Sequence, residues 1–351
     1  MRILAIETSC DETAAAVVED GVKVLSSAVA TSAAMHEKYG GIVPEVASRE
    51  QLKCIIPTIE EAMKPHKNGV NVSVYQCIGD TIDAIAVTVG PGLIGSLLVG
   101  VETAKTIAFV TGKLIIPVNH VLAHSYANFL INQQIQFPAI SLVVSGGHTE
   151  LYLMKNIKDL TWLGGTLDDA AGEAFDKTAR LLGFGNGGGA AIQEASSQLK
   201  IENCKLKIIL PRPMMHDDSL NFSFSGLKTA ILREWKKLEL QGLTRSDLVI
   251  NALAYEVQEA ITDVLVKKTL RAAQLHRAKS LLLSGGVAAN LRLREKFSTK
   301  LETLNSKLFV PPAALCTDNA VTIAAYAYFK GKQGDWHTIT AVPDLSVEIP
   351  I

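Results

Sequence analysis

The residues best spaced to do chemistry in this chain are two imidazoles four positions apart, in Asn119-His120-Val121-Leu122-Ala123-His124. On a helix, positions i and i+4 share a face. Both rings can therefore chelate one divalent ion, which then needs a third ligand from elsewhere in the chain. Cys316-Thr317-Asp318-Asn319, a polar turn just ahead of a helical pattern, offers Asp318 for that place. Plainer readings stand beside these: a His pair at this spacing also suits a solvated or capping role, and Asp is a good N-cap. An ordinary zinc protease is excluded, because there a Glu follows the first His as general base and here that position is Val121.

A second chemistry is written in glycine. Two apolar strands run into Ser-Gly-Gly: Ile140-Ser-Leu-Val143-Val144-Ser145-Gly146-Gly147-His148-Thr149, and Leu281-Leu-Leu-Ser284-Gly285-Gly286-Val287-Ala-Ala-Asn290. Such turns let backbone N–H groups approach a phosphate or carboxylate. Gly147 and Gly285 are expected to line that approach, and Asn290 either hydrogen-bonds a purine or ribose edge or is an ordinary turn residue. No Gly-x-x-x-x-Gly-Lys-Ser/Thr occurs, and Gly90-Pro91-Gly92-Leu93-Ile94-Gly95 lacks the later acidic residue of a dinucleotide site. Asp11 and Glu12, in the acidic turn Cys10-Asp11-Glu12-Thr13, and His148 are the groups able to accept a proton; the sequence does not choose among them. Asp176 matters only if its helix turns it toward the site. The same holds for Phe222-Ser223-Phe224-Ser225-Gly226-Leu227-Lys228, a Ser/Phe alternation that otherwise reads as a simple helix start.

Positioning these groups takes a framework of alternating strands and helices. Three strands, Ile3 to Glu7, Ala14 to Glu19 and Val22 to Val29, are joined by tight turns, and the plan recurs from Ala139 through Met154 and Leu160 to Leu163. The two copies turn at polar segments ending in Thr13 and Thr149, the mark of an internal duplication. After each triplet, helices alternate with single apolar strands, which builds a mainly parallel α/β sheet with helices on its faces. Pro65 to Asp80, with Asn68, Gly69 and Asn71, is expected to be an exposed loop. Ligands of such folds bind at the carboxyl ends of strands, so the expected site is a cleft between two lobes.

At 351 residues and 48% hydrophobic content, the chain suits two domains with substantial cores. No apolar run is expected to reach the roughly 18 residues that span a bilayer, no signal peptide is legible, and the cytoplasm is the expected compartment, with no membrane partner. Five widely spaced cysteines without Cys-x-x-Cys read as reduced thiols. Residues 1–66 carry six Lys/Arg against ten Asp/Glu, whereas residues 227–300 carry fourteen against seven. That basic half suits a polyanion such as RNA, or else is a solvated helix face.

These segments together resemble the tRNA N6-adenosine threonylcarbamoyltransferase family, of the bacterial TsaD type and formerly called O-sialoglycoprotein endopeptidases. The resemblance is carried by Ile6 to Thr13, Tyr39 to Arg49, Gly90 to Leu93, Asn119 to His124, Val144 to Thr149, Asp168 to Lys177, Asn221 to Lys228, Ser284 to Asn290 and Cys316 to Asn319. It implies a two-lobed α/β fold of the actin, Hsp70 and sugar-kinase type, made of duplicated ribonuclease-H-like domains. The N-terminal lobe would be 1–118, completed by 319–351, and the C-terminal lobe 119–318. It implies transfer of threonylcarbamoyl from threonylcarbamoyl-AMP to the N6 of the adenosine 3′ of the anticodon, in tRNAs reading A-starting codons, with release of AMP. One Fe(2+) per subunit, or zinc, would sit on His120, His124 and Asp318. Substrate contacts would fall on Val143, Val144, Ser145, Gly146, Gly147, Asp176, Gly189, Gln193 and Asn290, and in a bacterium TsaB and TsaE would be accessory partners. Two departures stand out: Asn186-Gly187-Gly188-Gly189-Ala190 replaces the family's Tyr-Pro-Gly-Gly-Pro, and Gln193 replaces an Asp. Competing readings are a small-metabolite or sugar kinase, which has no use for the His pair, and a non-catalytic scaffold, which has no use for the full metal set.

Overall fold

The computed structural model describes residues 1–36, 39, 41–67, 73–131, 134–185, 188–199, 206, 208–243, 246–301 and 305–348. Its contacts divide the chain into two compact units. One comprises Met1–Ile135, Ile157–Leu160 and Pro311–Ile351; the other comprises Gln136–Asn156 and Thr161–Val310.

The first unit's sheet is built from β1 (Arg2–Glu7), β2 (Glu12–Glu19), β3 (Lys23–Thr31), β4 (Ala84–Gly90) and β5 (Leu114–Asn119), in the order β3-β2-β1-β4-β5. Ile3, Leu4, Ala5 and Ile6 of β1 are fully buried, as a central strand covered on both faces must be. β1 pairs antiparallel with β2 and parallel with β4, and β4 runs parallel to β5. Helices α1 (Ala33–His36), α2 (Pro44–Met63), α3 (Val74–Thr81), α4 (Ile94–Thr111) and α5 (His120–His124) belong to this unit. Pro44 opens α2 in the first-turn position that lacks an N–H partner anyway. Ile55 and Ile59 of α2 and Val101, Ala104 and Ala108 of α4 share one apolar core with Leu4, Ile6, Ile85 and Val87 of the sheet.

Two expectations change here. The stretch expected to be a loop, Pro65 to Asp80, contains part of a 3-10 turn (Lys64–Lys67) and most of α3, whose N-cap Ser73 accepts from the Gln76 N–H; Asn68, Gly69 and Asn71 lie outside the described residues. The loop-forming residue types at 68–73 mask the helical spacing of Val74, Cys77 and Ile78. The second correction is that Ile94–Thr111 is long and apolar enough by composition to cross a membrane. In the fold one face of it joins the core: Leu97, Val101, Ala104 and Ala108 are buried, whereas Leu98, Phe109 and Val110 are exposed and Glu102 pairs with Lys105.

The second unit's sheet repeats the plan. It uses β6 (Ala139–Val144), β7 (Thr149–Asn156), β8 (Asp159–Gly165), β9 (Ser280–Ser284) and β10 (Lys307–Phe309), in the order β10-β9-β6-β7-β8. β6 pairs antiparallel with β7 and parallel with β9, as β1 does with β2 and β4. The Ser145–His148 turn thus stands where residues 8–11 stand in the first copy, and the duplication read from Thr13 and Thr149 holds at the level of strand order. Around this sheet lie α6 (Ala171–Leu181), α7 (Gly188–Ser197), α8 (Ser225–Leu240), α9 (Asp247–Leu275) and α10 (Leu291–Leu301). The chain then returns to the first unit as α11 (Ala320–Phe329), apolar all round and buried from Ala320 through Ala327, as expected of a helix covered on every side.

Candidate metal centre and ligand cavity

Asn119 ends β5 and caps α5: its Oδ1 accepts the N–H groups of Val121 and Leu122 at 3.0 and 3.2 Å. This fixes the first turn, so His120 and His124 lie on one face with their Nε2 atoms 3.3 Å apart. Both are buried, at 7% and 2% exposure, which removes the solvated reading. The capping reading of Asp318 falls as well, because Asn319 caps α11, accepting from Val321 and Thr322. Asp318 is left with its Oδ1 3.6 Å from His120 Nε2 and 3.4 Å from His124 Nε2. Donor atoms separated by 3.3, 3.4 and 3.6 Å form a triangle whose centre lies about 2.0 Å from each corner, a normal bond length for a divalent ion.

A residue that sequence reasoning missed stands behind this triangle. Glu7, 1% exposed, places Oε2 2.9 Å from His120 Nδ1 and also accepts from Thr88 Oγ1 and the Ser9 N–H, each at 2.5 Å. A carboxylate on the far nitrogen of a ligating imidazole fixes its tautomer and directs Nε2 at the ion. Charge supports the same reading. Burial disfavours the His120 imidazolium, but the carboxylates of Glu7 and Asp318 outweigh it and push its pKa up to about 9. Glu12 is raised to about 9 by burial and by the carboxylates of Asp318 and Asp11. A centre that recruits protons in this way is short of positive charge, which a divalent ion held by His120, His124 and Asp318 would supply. The acidic turn itself is held by Gln51, whose Nε2 donates to the carbonyls of Cys10 and Glu12 at 2.9 and 3.0 Å.

In the second unit a cavity of about 290 Å³ is lined by Gly146, Asp176, Gly189, Gln193, Gly286 and Asn290, among others. Five of the expected contact residues share its wall: Gly146, Asp176, Gly189, Gln193 and Asn290. Val143 and Val144 are fully buried strand residues paired to β7 and β9 and stand outside the cavity wall, and Ser145 accepts the His148 N–H on its Oγ at 3.2 Å within the turn. Asp176 faces the cavity, and burial raises its pKa despite Arg180. The glycines divide by cause. A Cβ on Gly285, at φ +85°, would collide with the Val144 carbonyl, so this glycine serves the backbone; around Gly146, Gly147 and Gly286 a Cβ would meet open space. The role expected of Gly285 in admitting ligand is thus replaced by a structural one. Of the divergent turn, Asn186 and Gly187 lie outside the described residues. Gln193 caps α10, accepting the Leu291 N–H at 2.7 Å.

Two further motifs gain a structural account. Asp168 accepts from the hydroxyls of Ser223 and Ser225 and from the N–H groups of Phe224 and Ser225, fastening the start of α8. The basic surface expected of residues 227–300 narrows. Lys268 is 2% exposed and paired with Asp217, and Arg271 pairs with Asp218, while Arg292 and Lys296 are consumed by Glu259, Asp263 and Glu295. Lys228, Arg233 and Lys236 of α8 are exposed, Arg233 and Lys236 opposite its buried stripe of Leu227, Ile231 and Leu238 and Lys228 on its flank.

Two five-stranded sheets with one strand order define a duplicated ribonuclease-H-like protein of the actin, Hsp70 and sugar-kinase class. Solved structures agree at the level of fold. HypF of T. kodakarensis superposes with a TM-score of 0.60 at 15% identity, covering 93% of this chain and 47% of that one. The (R)-2-hydroxyglutaryl-CoA dehydratase component A of Acidaminococcus fermentans gives 0.51 at 14% identity, covering 93% and 98%. Within that class, residues 23–325 match the family described as TsaD: tRNA N6-adenosine threonylcarbamoyltransferase. Relatives bearing that name are 46% identical over 336 residues in Persephonella marina (95% of this chain, 91% of the relative) and 46% identical over 353 residues in Dehalococcoides mccartyi (99% of each). The chain belongs to the tRNA N6-adenosine threonylcarbamoyltransferase family.

Proposed function

We propose that this chain transfers threonylcarbamoyl from threonylcarbamoyl-AMP to the N6 amine of the adenosine 3′ of the anticodon in tRNAs reading A-starting codons, releasing AMP. The observation that carries the reading is the buried triangle of His120, His124 and Asp318, with Glu7 behind His120, in a chain of this family. The ion proposed there is one Fe(2+), with zinc the alternative suited to the same donors. When bound, it supplies Lewis-acid stabilisation to the oxygen atoms of the acyl group.

The remaining work falls to the protein's own groups. A carbamoyl–phosphate mixed anhydride is already activated, so orientation and electrostatics suffice and no covalent nucleophile is required. In the second unit's cavity, Asp176 would accept hydrogen bonds from hydroxyls of the nucleotide, while Gly146 and Gly286 leave room beside it. The amine nitrogen forms a bond to the carbonyl carbon, the carbon–oxygen bond to phosphate breaks, AMP leaves with the electron pair, and the amine proton passes to Asp11, Glu12 or His148. The outward face of α8, bearing Lys228, Arg233 and Lys236, is proposed to contact tRNA phosphates. TsaB and TsaE are the accessory partners this reading proposes.

The test is His120→Ala and Asp318→Ala, each assayed for bound metal, AMP binding and threonylcarbamoyladenosine in tRNA. Loss of metal and of transfer with AMP binding retained supports the reading; a variant that keeps full metal content or full transfer refutes the ligand set.

A further inference from the structure

The amides on the cavity wall are held in one orientation by the backbone behind them. The Leu293 N–H, in the first turn of α10, can only donate, and it donates to Asn290 Oδ1 at 2.9 Å. Asn290 must therefore use Nδ2 elsewhere, and one of its hydrogens goes to Gln258 Oε1 at 2.9 Å. With that oxygen committed, Gln258 passes its own Nε2 to Ser196 Oγ, again at 2.9 Å. The relay has one polarity from end to end, set by a backbone donor and not by a choice of amide flip. All three side chains are buried, with Gln258 4% exposed.

An amide carries two N–H donors, and among the described residues the second one of Asn290 has no protein acceptor. Asn290 lines the cavity, whereas Gln258 does not. Gln193 follows the same rule: its oxygen is taken by the Leu291 N–H, so its NH₂ is what it can offer a ligand. The wall thus presents amide donors from two residues and, from Asp176, a carboxylate acceptor.

We propose that Gln258 is a positioning residue for ligand binding: from within α9 it fixes the Asn290 amide so that an N–H faces the ligand's ribose or phosphate oxygens. The inference rests on the reading of this cavity as the nucleotide site. Without Gln258, Asn290 keeps its cap on α10 but loses the partner that sets the tilt of its NH₂ group, and a precisely aimed donor becomes a loosely held one.

AMP is the probe, titrated calorimetrically into the wild-type chain and into Gln258→Met, Gln258→Glu, Ser196→Ala, Asn290→Ala and the Gln258→Met/Asn290→Ala pair. Gln258→Met is expected to weaken AMP about three- to tenfold, one hydrogen bond's worth, and the double variant to bind no worse than Asn290→Ala, because the two act as one unit. Gln258→Glu, which keeps an accepting oxygen for Asn290, should retain more affinity than Gln258→Met. Ser196→Ala, a gentler break at the far end of the relay, should give a smaller loss and covers the case in which Gln258→Met does not fold. In the transfer assay the loss should appear in KM for the adenylate with kcat preserved. Additive losses in the double variant, or unchanged AMP affinity in Gln258→Met and Ser196→Ala while Asn290→Ala is impaired, would overturn the role of Gln258 alone. A wild-type chain that does not bind AMP, or an Asn290→Ala variant that binds it normally, would overturn the nucleotide reading of the cavity and this inference with it.

Discussion

Replacing Glu7 by Gln tests whether the metal centre is built from two layers. Glu7 accepts three hydrogen bonds, from His120 Nδ1, Thr88 Oγ1 and the Ser9 N–H. An amide keeps one oxygen and turns the other position into a donor, so at least one of those three partners is left facing an N–H. For a buried group that costs about 1–3 kcal/mol of stability. The metal should suffer separately: removing the carboxylate behind a ligating His lowers affinity about 10- to 100-fold, or about 1.4–2.8 kcal/mol. The assay is competition for iron or zinc against a chelator of known affinity, run beside thermal unfolding of the metal-free protein. Thr88→Val is the control, since it removes one hydrogen bond and keeps the charge; it should lose stability and little metal affinity. If Glu7→Gln binds metal as tightly as the wild-type chain, the carboxylate does not orient His120, and the two-layer reasoning is wrong.

Three other outcomes are expected. Gly286→Val should block AMP without unfolding the chain, since its side chain enters open space, whereas Gly285→Ala should destabilise it through collision with the Val144 carbonyl; calorimetry and melting curves separate the two, and equal behaviour would refute the distinction. Reversing Lys228, Arg233 and Lys236 to Glu should weaken tRNA binding and flatten its salt dependence by about one unit of slope per lost contact, leaving AMP binding unchanged; unaltered filter binding at several salt concentrations would remove α8 from the RNA path. Asp168→Asn should cost about 1 kcal/mol, an N-cap's worth at an exposed position. Burial alone would raise the Asp168 pKa, but the Ser223 and Ser225 hydroxyls and two backbone N–H groups hold it below the usual carboxylate range. Its contribution is therefore present above the unfolded value, near about 3.9, and lost as pH falls through the folded one. A stability gap between wild type and the Asp168→Asn variant that stays constant as the pH is taken well below that value would contradict this.

What the sequence disclosed and what it hid follow from the range of the interactions involved. Strand triplets are legible because β1 and β2 are built round unbroken apolar runs and β6 is apolar but for Ser141, and the duplication because both copies turn at polar segments ending in Thr13 and Thr149. β5 escapes such a reading because Pro117 sits inside it, a residue strands normally admit only at edges, and β5 is indeed the edge of its sheet. β10 spans three residues, too few for any period. At the site, the His pair is visible because both ligands lie on one helical turn, and Asp318 because it adjoins a helix start, although only the fold could assign the cap to Asn319. Glu7 leaves a trace in the sequence: a carboxylate closing a strand whose preceding four residues are fully buried must find partners inside. Gln258 leaves none. It stands in a 29-residue helix whose central turns are buried all round, and its meaning depends on Asn290, 32 residues onward. The same holds for Asp168 and α8, 55 to 57 residues apart. Ligands that share a turn can be read from spacing; the groups that aim them are chosen by packing, and they are where substitutions in this chain should act on binding without touching what is bound.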